Sequence, residues 1–112
     1  MKRLPADDCG FATALNVVAG KWKMAILWEV HARPRRFGEL RRLLPGVSEK
    51  VLTQQLREME ADGLVARTVY AETVPRVEYS VTEIGLSLNT AVGTMSDWGK
   101  AHAARIADAM PT

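Results

Sequence analysis

The chain has 112 residues, 47% hydrophobic and 25% charged, with one cysteine and a formal net charge of +2. That length predicts one domain, and the composition excludes a disordered or low-complexity chain. No apolar run approaches about 18 residues, Met1 to Asp8 lack the apolar core of a signal peptide, and Cys9 has no intrachain disulfide partner, so a cytoplasmic protein without a membrane span is expected.

Residues 10–19 form a short predicted helix, with Phe11, Leu15 and Val18 at helical spacing and Gly20 closing it. A second helix is predicted from about Trp22 to His31, with its stripe on Trp22, Ile26, Leu27 and Val30; Pro34 stops it. A third spans about Phe37 to Leu44. Leu40, Leu43 and Leu44 are expected to face inward, Arg41 and Arg42 outward, and Pro45-Gly46 punctuates the end.

The fourth helix has a marked start and stop. Ser48 is its predicted N-cap, Glu49 suits the positive end of the dipole, and Gly63 is placed for a left-handed stop. Leu52, Leu56 and Met59 fall within one narrow arc at about 100° per residue. Lys50, Gln54 and Arg57 fall on the opposite side, with Thr53 on its flank.

After Gly63 the period changes. Residues 64–71 are rich in β-formers, and 76–81 alternate with Val77, Tyr79 and Val81 on one face. With Glu72-Thr73-Val74-Pro75 between them, these predict a hairpin. Thr82 then caps a final helix. Ile84, Leu88, Ala91, Met95, Trp98 and His102 recur along it at steps of four and three. Such a seam predicts packing against a second copy, with the first helix alongside. Gly85, Gly93 and Gly99 weaken this helix, and the sequence leaves open whether they kink or split it.

Helix, helix, helix, turn, helix, hairpin, helix is the order of a helix-turn-helix followed by a β-wing. Cations cluster in the same region: Arg33, Arg35, Arg36, Arg41, Arg42, Lys50 and Arg57 against Glu39 and Glu49. A local basic cluster suits a polyanion. A helix about 10–12 Å across fits the major groove of B-form DNA, about 12 Å wide. Lysine and arginine donate to guanine, glutamine pairs with adenine, and threonine touches the thymine methyl. Lys50, Thr53, Gln54 and Arg57 supply that set; Arg36, Arg41 and Arg42 suit phosphates, and Arg76 beside the wing turn a flanking phosphate or the minor groove. The alternative is a solvated polar face, with Arg57 paired to Glu58 or Glu60 and Arg76 paired to a wing acid.

Several blocks in order also carry a resemblance. Gly20-Lys21-Trp22, Arg35-Arg36-Phe37-Gly38-Glu39-Leu40-Arg41-Arg42, Val47-Ser48-Glu49-Lys50-Val51-Leu52-Thr53, Leu56 to Val65, Pro75 to Ser80 and Thr82-Glu83-Ile84-Gly85 look like the HxlR-type transcriptional regulators. These are small winged helix-turn-helix proteins related to the MarR group. The likeness runs over roughly residues 9 to 99. It implies an α+β, mainly α, DNA-binding domain over 1–112: helix-turn-helix at about 37–63, wing at about 64–81, and dimerising terminal helices at 10–19 and 83–109. It implies a homodimer on double-stranded DNA at an inverted-repeat operator, with repression as the simplest mechanism. It puts Ser48, Lys50, Thr53, Gln54 and Arg57 at recognition-helix positions and Arg76 at a wing position. Phe11, Leu15, Leu88, Met95, Trp98 and His102 become the expected dimer interface.

Cys9 stands where the family often has a cysteine that senses oxidants or electrophiles. A helix N-terminus activates a thiol, whereas Asp7 and Asp8 disfavour the thiolate. Gly10 and Trp28 depart from the residues common there in the family. The alternatives are a passive Cys9 and a small-molecule effector at the dimer interface. His31 and His102 lie far apart without ligand spacing, so neither metal nor cofactor is expected. No nucleophile–base pair or phosphate-cradling loop predicts an enzyme. The remaining rival is a winged helix used for protein–protein contact.

Overall fold

The computed structural model describes residues 10–109. The elements follow the expected order: α1 (Gly10–Val18), α2 (Lys23–Ala32), α3 (Phe37–Leu43), α4 (Glu49–Ala61), β1 (Val65–Tyr70), β2 (Arg76–Val81) and α5 (Glu83–Ala109). This is a mainly helical α+β winged helix-turn-helix. No helix among the described residues is long and apolar enough to cross a membrane.

The ends of α4 are set by its own sequence. Ser48 Oγ accepts the Val51 N–H at 3.1 Å, satisfying a first-turn donor. At the other end Gly63 takes φ +78, the left-handed region that glycine enters without steric cost. The Gly63 N–H then reaches Glu60 O and the Leu64 N–H reaches Met59 O, closing the last carbonyls.

The apolar stripe of α4 decides its orientation. Leu52, Leu56 and Met59 are at most 1% exposed and pack with Ile26, Leu27 and Val30 of α2, Leu40 and Leu44 around α3, and Leu64 and Val65. Burial of one such side chain contributes about 2 kcal/mol, so the stripe holds one side of α4 inward and leaves the opposite side in solvent.

β1 and β2 pair antiparallel, with Val65 opposite Val81 and Tyr70 opposite Arg76. The wing is tied back to the helices: Arg35 N–H donates to Tyr79 O at 2.9 Å, and Tyr79 N–H to Arg35 O at 2.8 Å. The loop before α3 thereby adds a one-residue third strand to the hairpin.

One expectation is corrected: Leu43 is 41% exposed rather than inward. At about 100° per residue Leu40 and Leu44 lie about 40° apart, whereas Leu43 falls about 100° from Leu44, outside the arc the core covers. The continuity of the last helix, open in the sequence, is settled: α5 runs unbroken through its glycines. Gly85 proves to be a packing requirement: a Cβ there would overlap Leu64 O. Thr82 builds the same junction, its hydroxyl meeting Gly63 O and Leu64 O while accepting the Gly85 N–H at 3.0 Å. Further along α5, Leu88 packs against the core and one face from Asn89 to Lys100 lines a cleft with Met24, Leu27 and Trp28 of α2, while residues 100–109 are exposed throughout.

Candidate nucleic-acid interface

The outer face of α4 presents Lys50, Thr53, Gln54 and Arg57 together, and with Glu49 they line one open depression. Lys50, Gln54 and Arg57 are exposed and Thr53 is half-buried. A second cleft, between α4 and the wing, is lined by Thr53, Leu56, Arg57, Glu60, Arg67 and Tyr79. Arg67 is not among the residues that the sequence pattern points to. It lies opposite Tyr79 on β1 and lines this cleft together with Arg57.

The candidate cations differ in what already holds them. Among the described residues Arg36, Arg42, Lys50 and Arg57 form no ion pair, so Arg57 is not taken up by Glu58 or Glu60. Arg41 lies 3.9 Å from Glu49, a long and solvated contact of little strength. Arg76 is the most engaged. Its guanidinium is 3.2 Å from Glu72 and 3.6 Å from Glu78, and sits 4.1 Å from the centre of the Tyr70 ring.

Behind the interface two carboxylates organise the cluster. Glu39 accepts the Arg36 N–H at 3.1 Å and pairs with Arg33. The Arg36 amide, then Arg33, hold the Glu39 carboxyl below its ordinary value. Glu58, at the edge of the α4 face, meets Lys23 Nζ at 2.7 Å. That lysine is 4% exposed and stands one turn before Ile26 and Leu27 on the buried side of α2, where its charge, not its spacing, is unexpected. The Lys23 hydrogen bond and charge hold the Glu58 carboxyl low as well. Nearby, Gln55 Oε1 accepts the Trp22 N–H at 3.1 Å, so α4 also caps the start of α2.

The terminal helices show a different surface. α1 buries no residue, and Phe11 and Leu15 are 59% and 46% exposed. Along α5, Met95 and Trp98 are more than half exposed, and His102 stacks on Trp98 with ring centres 4.7 Å apart. Leu88 differs from the rest of the expected seam, packing partly against the chain's own core. Cys9 lies outside the described residues. Among those residues no three His, Cys, Asp or Glu side chains gather to hold a metal ion.

The family model described as HxlR-like helix-turn-helix matches residues 17–107. An uncharacterised HTH-type transcriptional regulator, YdeP of Bacillus subtilis strain 168, is 41% identical over 100 residues, covering 89% of this chain and 78% of its own. A solved transcriptional regulator of the MarR family from Enterococcus faecalis V583 superposes with TM-score 0.82 at 39% identity, over 96% of both chains. The redox regulator HypR in its reduced form also gives TM-score 0.82 at 39% identity, over 89% of this chain and 99% of that one.

Proposed function

We propose that this chain, which belongs to the HxlR-like helix-turn-helix family, is a homodimeric repressor that occludes promoters by binding an inverted-repeat operator. It is a transcriptional regulator with a helix-turn-helix, like its relatives. The observation that carries the finer reading is the outer face of α4, where Lys50, Thr53, Gln54 and Arg57 stand opposite the buried stripe. In this reading those four contact base edges. Arg36, Arg41, Arg42 and the first turn at Ser48 take phosphates, which position the protein without reading sequence. Arg76 reaches a flanking phosphate by exchanging Glu72 for it.

The exposed faces of α1 and α5 supply the second-copy interface. Phe11, Leu15, Met95, Trp98 and His102 form its apolar part, with Leu88 bridging to the core. Dimerisation sets the two α4 helices to half-sites about 34–36 Å apart. The effector reading is oxidation or alkylation of Cys9, favouring a dimer whose helices no longer match both half-sites. The likeness to HypR, a redox regulator by name, favours the thiol over a small ligand at the interface.

Band shifts on the DNA flanking the chain's own gene, titrated with salt against a scrambled duplex, test the DNA reading. Specific retardation that weakens steeply with salt and disappears in Gln54→Ala/Arg57→Ala is expected. Unchanged nucleic-acid binding in Lys50→Ala and Arg57→Ala would hand this face to a protein partner instead. For the effector, diamide releases the wild type and leaves Cys9→Ser bound; equal release of both refutes the thiol.

A further inference from the structure

One contact on the α4 face bears on how it reads bases. Gln54 Nε2 lies 3.4 Å from Glu58 Oε1, one helical turn away. The other oxygen, Glu58 Oε2, is occupied by the buried ammonium of Lys23 at 2.7 Å. Lys23 projects from α2, whose Ile26, Leu27 and Val30 are in the core, so the anchor belongs to the rigid part of the protein.

An ionised carboxylate only accepts hydrogen bonds, whereas a carboxamide has a donor end and an acceptor end. Lys23 keeps Glu58 ionised. Glu58 therefore attracts the NH2 group of Gln54 and repels its oxygen. We propose that Glu58, anchored by Lys23, is a positioning residue that fixes the Gln54 carboxamide with Oε1 outward, so that Gln54 selects base edges presenting a donor, adenine before the others. One N–H of Gln54 is spent on Glu58. Oε1 and the second N–H remain, and together they match adenine N6 and N7 in the major groove. The inference rests on α4 facing DNA, as proposed above.

The same chemistry explains why an acid is tolerable on this face. A lone carboxylate would repel the phosphates, but the Lys23 ammonium offsets the charge of Glu58 from the protein side. Glu58→Gln removes the charge and reverses the polarity offered to Gln54. Lys23 only donates, so it keeps the oxygen of the substituted carboxamide, and the new NH2 group faces Gln54 and attracts its Oε1 instead of its NH2.

The test is enrichment of duplexes from random DNA by the full chain, comparing wild type, Gln54→Ala, Glu58→Gln and the double variant. Wild type is expected to prefer adenine at one base pair of each half-site by about tenfold, the equivalent of about 1.4 kcal/mol. Gln54→Ala abolishes that preference. Glu58→Gln reduces it to within about twofold while the other base pairs keep theirs, and the double variant loses no more than Gln54→Ala, as expected for one coupled unit. A Glu58→Gln protein that retains the adenine preference overturns the proposal and leaves the DNA reading standing. Uniform weakening at every base pair overturns it too, by showing a merely structural role. A wild-type chain that enriches no sequence overturns both.

Discussion

Replacing Gly85 by alanine separates backbone packing from helix propensity. By propensity alone the change stabilises a helix by about 1 kcal/mol. The structure reverses the sign. The new Cβ would overlap Leu64 O and lie 3.2 Å from Leu64 C and 2.9 Å from Val81 Cγ2. Ordinary carbon contacts sit at about 3.5–4.0 Å, so the first turn of α5 must retreat by about 1 Å. Two of the obstructing atoms are backbone and have no rotamer to escape into. The retreat also strains the bonds that root α5, from the Thr82 N–H to Leu64 O at 3.2 Å and from the Thr82 hydroxyl to the same oxygen at 3.1 Å. Overpacking costs about 1–3 kcal/mol and each lost hydrogen bond about 1 kcal/mol. With both bonds lost and the propensity gain of about 1 kcal/mol subtracted, Gly85→Ala is expected to destabilise by about 2–4 kcal/mol. In urea, with a slope of about 1.5 kcal/mol/M, the unfolding midpoint falls by about 1.3–2.7 M. Gly93→Ala is the control, since nothing lies within 4 Å of a Cβ there. It is expected to raise the midpoint, by up to about 1 kcal/mol in stability. Circular dichroism at constant protein concentration reads both. A Gly85→Ala midpoint at or above wild type refutes the reasoning.

Other substitutions probe the elements that position α4. Ser48→Ala removes the acceptor of the Val51 N–H and is expected to cost about 1 kcal/mol, seen as a fall of about 4–8 °C in the thermal midpoint. Leu56→Ala leaves a cavity beneath the recognition face and is expected to cost about 2–5 kcal/mol by urea unfolding. Glu39 contributes in a pH-dependent manner, because its folded-state pKa lies below the ordinary value of 4.5. Such a group adds stability above its unfolded pKa and loses it as pH falls through the lower folded one. The stability gap between wild type and Glu39→Gln is therefore full above about pH 5 and closes toward acid. A gap that stays constant to the acid end would show that Glu39 acts as a neutral acceptor.

The parts legible in the sequence are those governed by local signals. Ser48, Gly63 and the spacing of Leu52, Leu56 and Met59 announce α4 with its ends and its free face, because caps and periodicity act within a few residues. What escapes depends on residues distant in the chain. Lys23 stands at the spacing of the α2 stripe, but a lysine ordinarily signals solvent, and the Glu58 carboxylate that meets its charge lies on another helix. Gly85 reads as a helix weakener until Leu64 is seen against it. Arg67 joins the α4 cleft through the hairpin register, and Arg35 is drawn into the wing by Tyr79. Leu43 misleads for a local reason: three leucines within five residues read as one apolar stripe, yet Leu43 falls about 100° from Leu44, outside the arc the core covers.

The two hydrogen bonds between Arg35 and Tyr79 close a ring. The chain leaves the end of α2, runs through α3, α4 and β1, turns, and is fastened on β2 to where it started. A few residues further on, Thr82 and Gly85 clamp the exit of the same ring against Leu64. The head that would meet DNA is thus laced at both its entrance and its exit. So fastened, the wing and α4 move together against α5 rather than past each other. In the dimer proposed above, a small tilt of each head at its root would change the distance between the two α4 helices, which is the quantity a pair of half-sites measures.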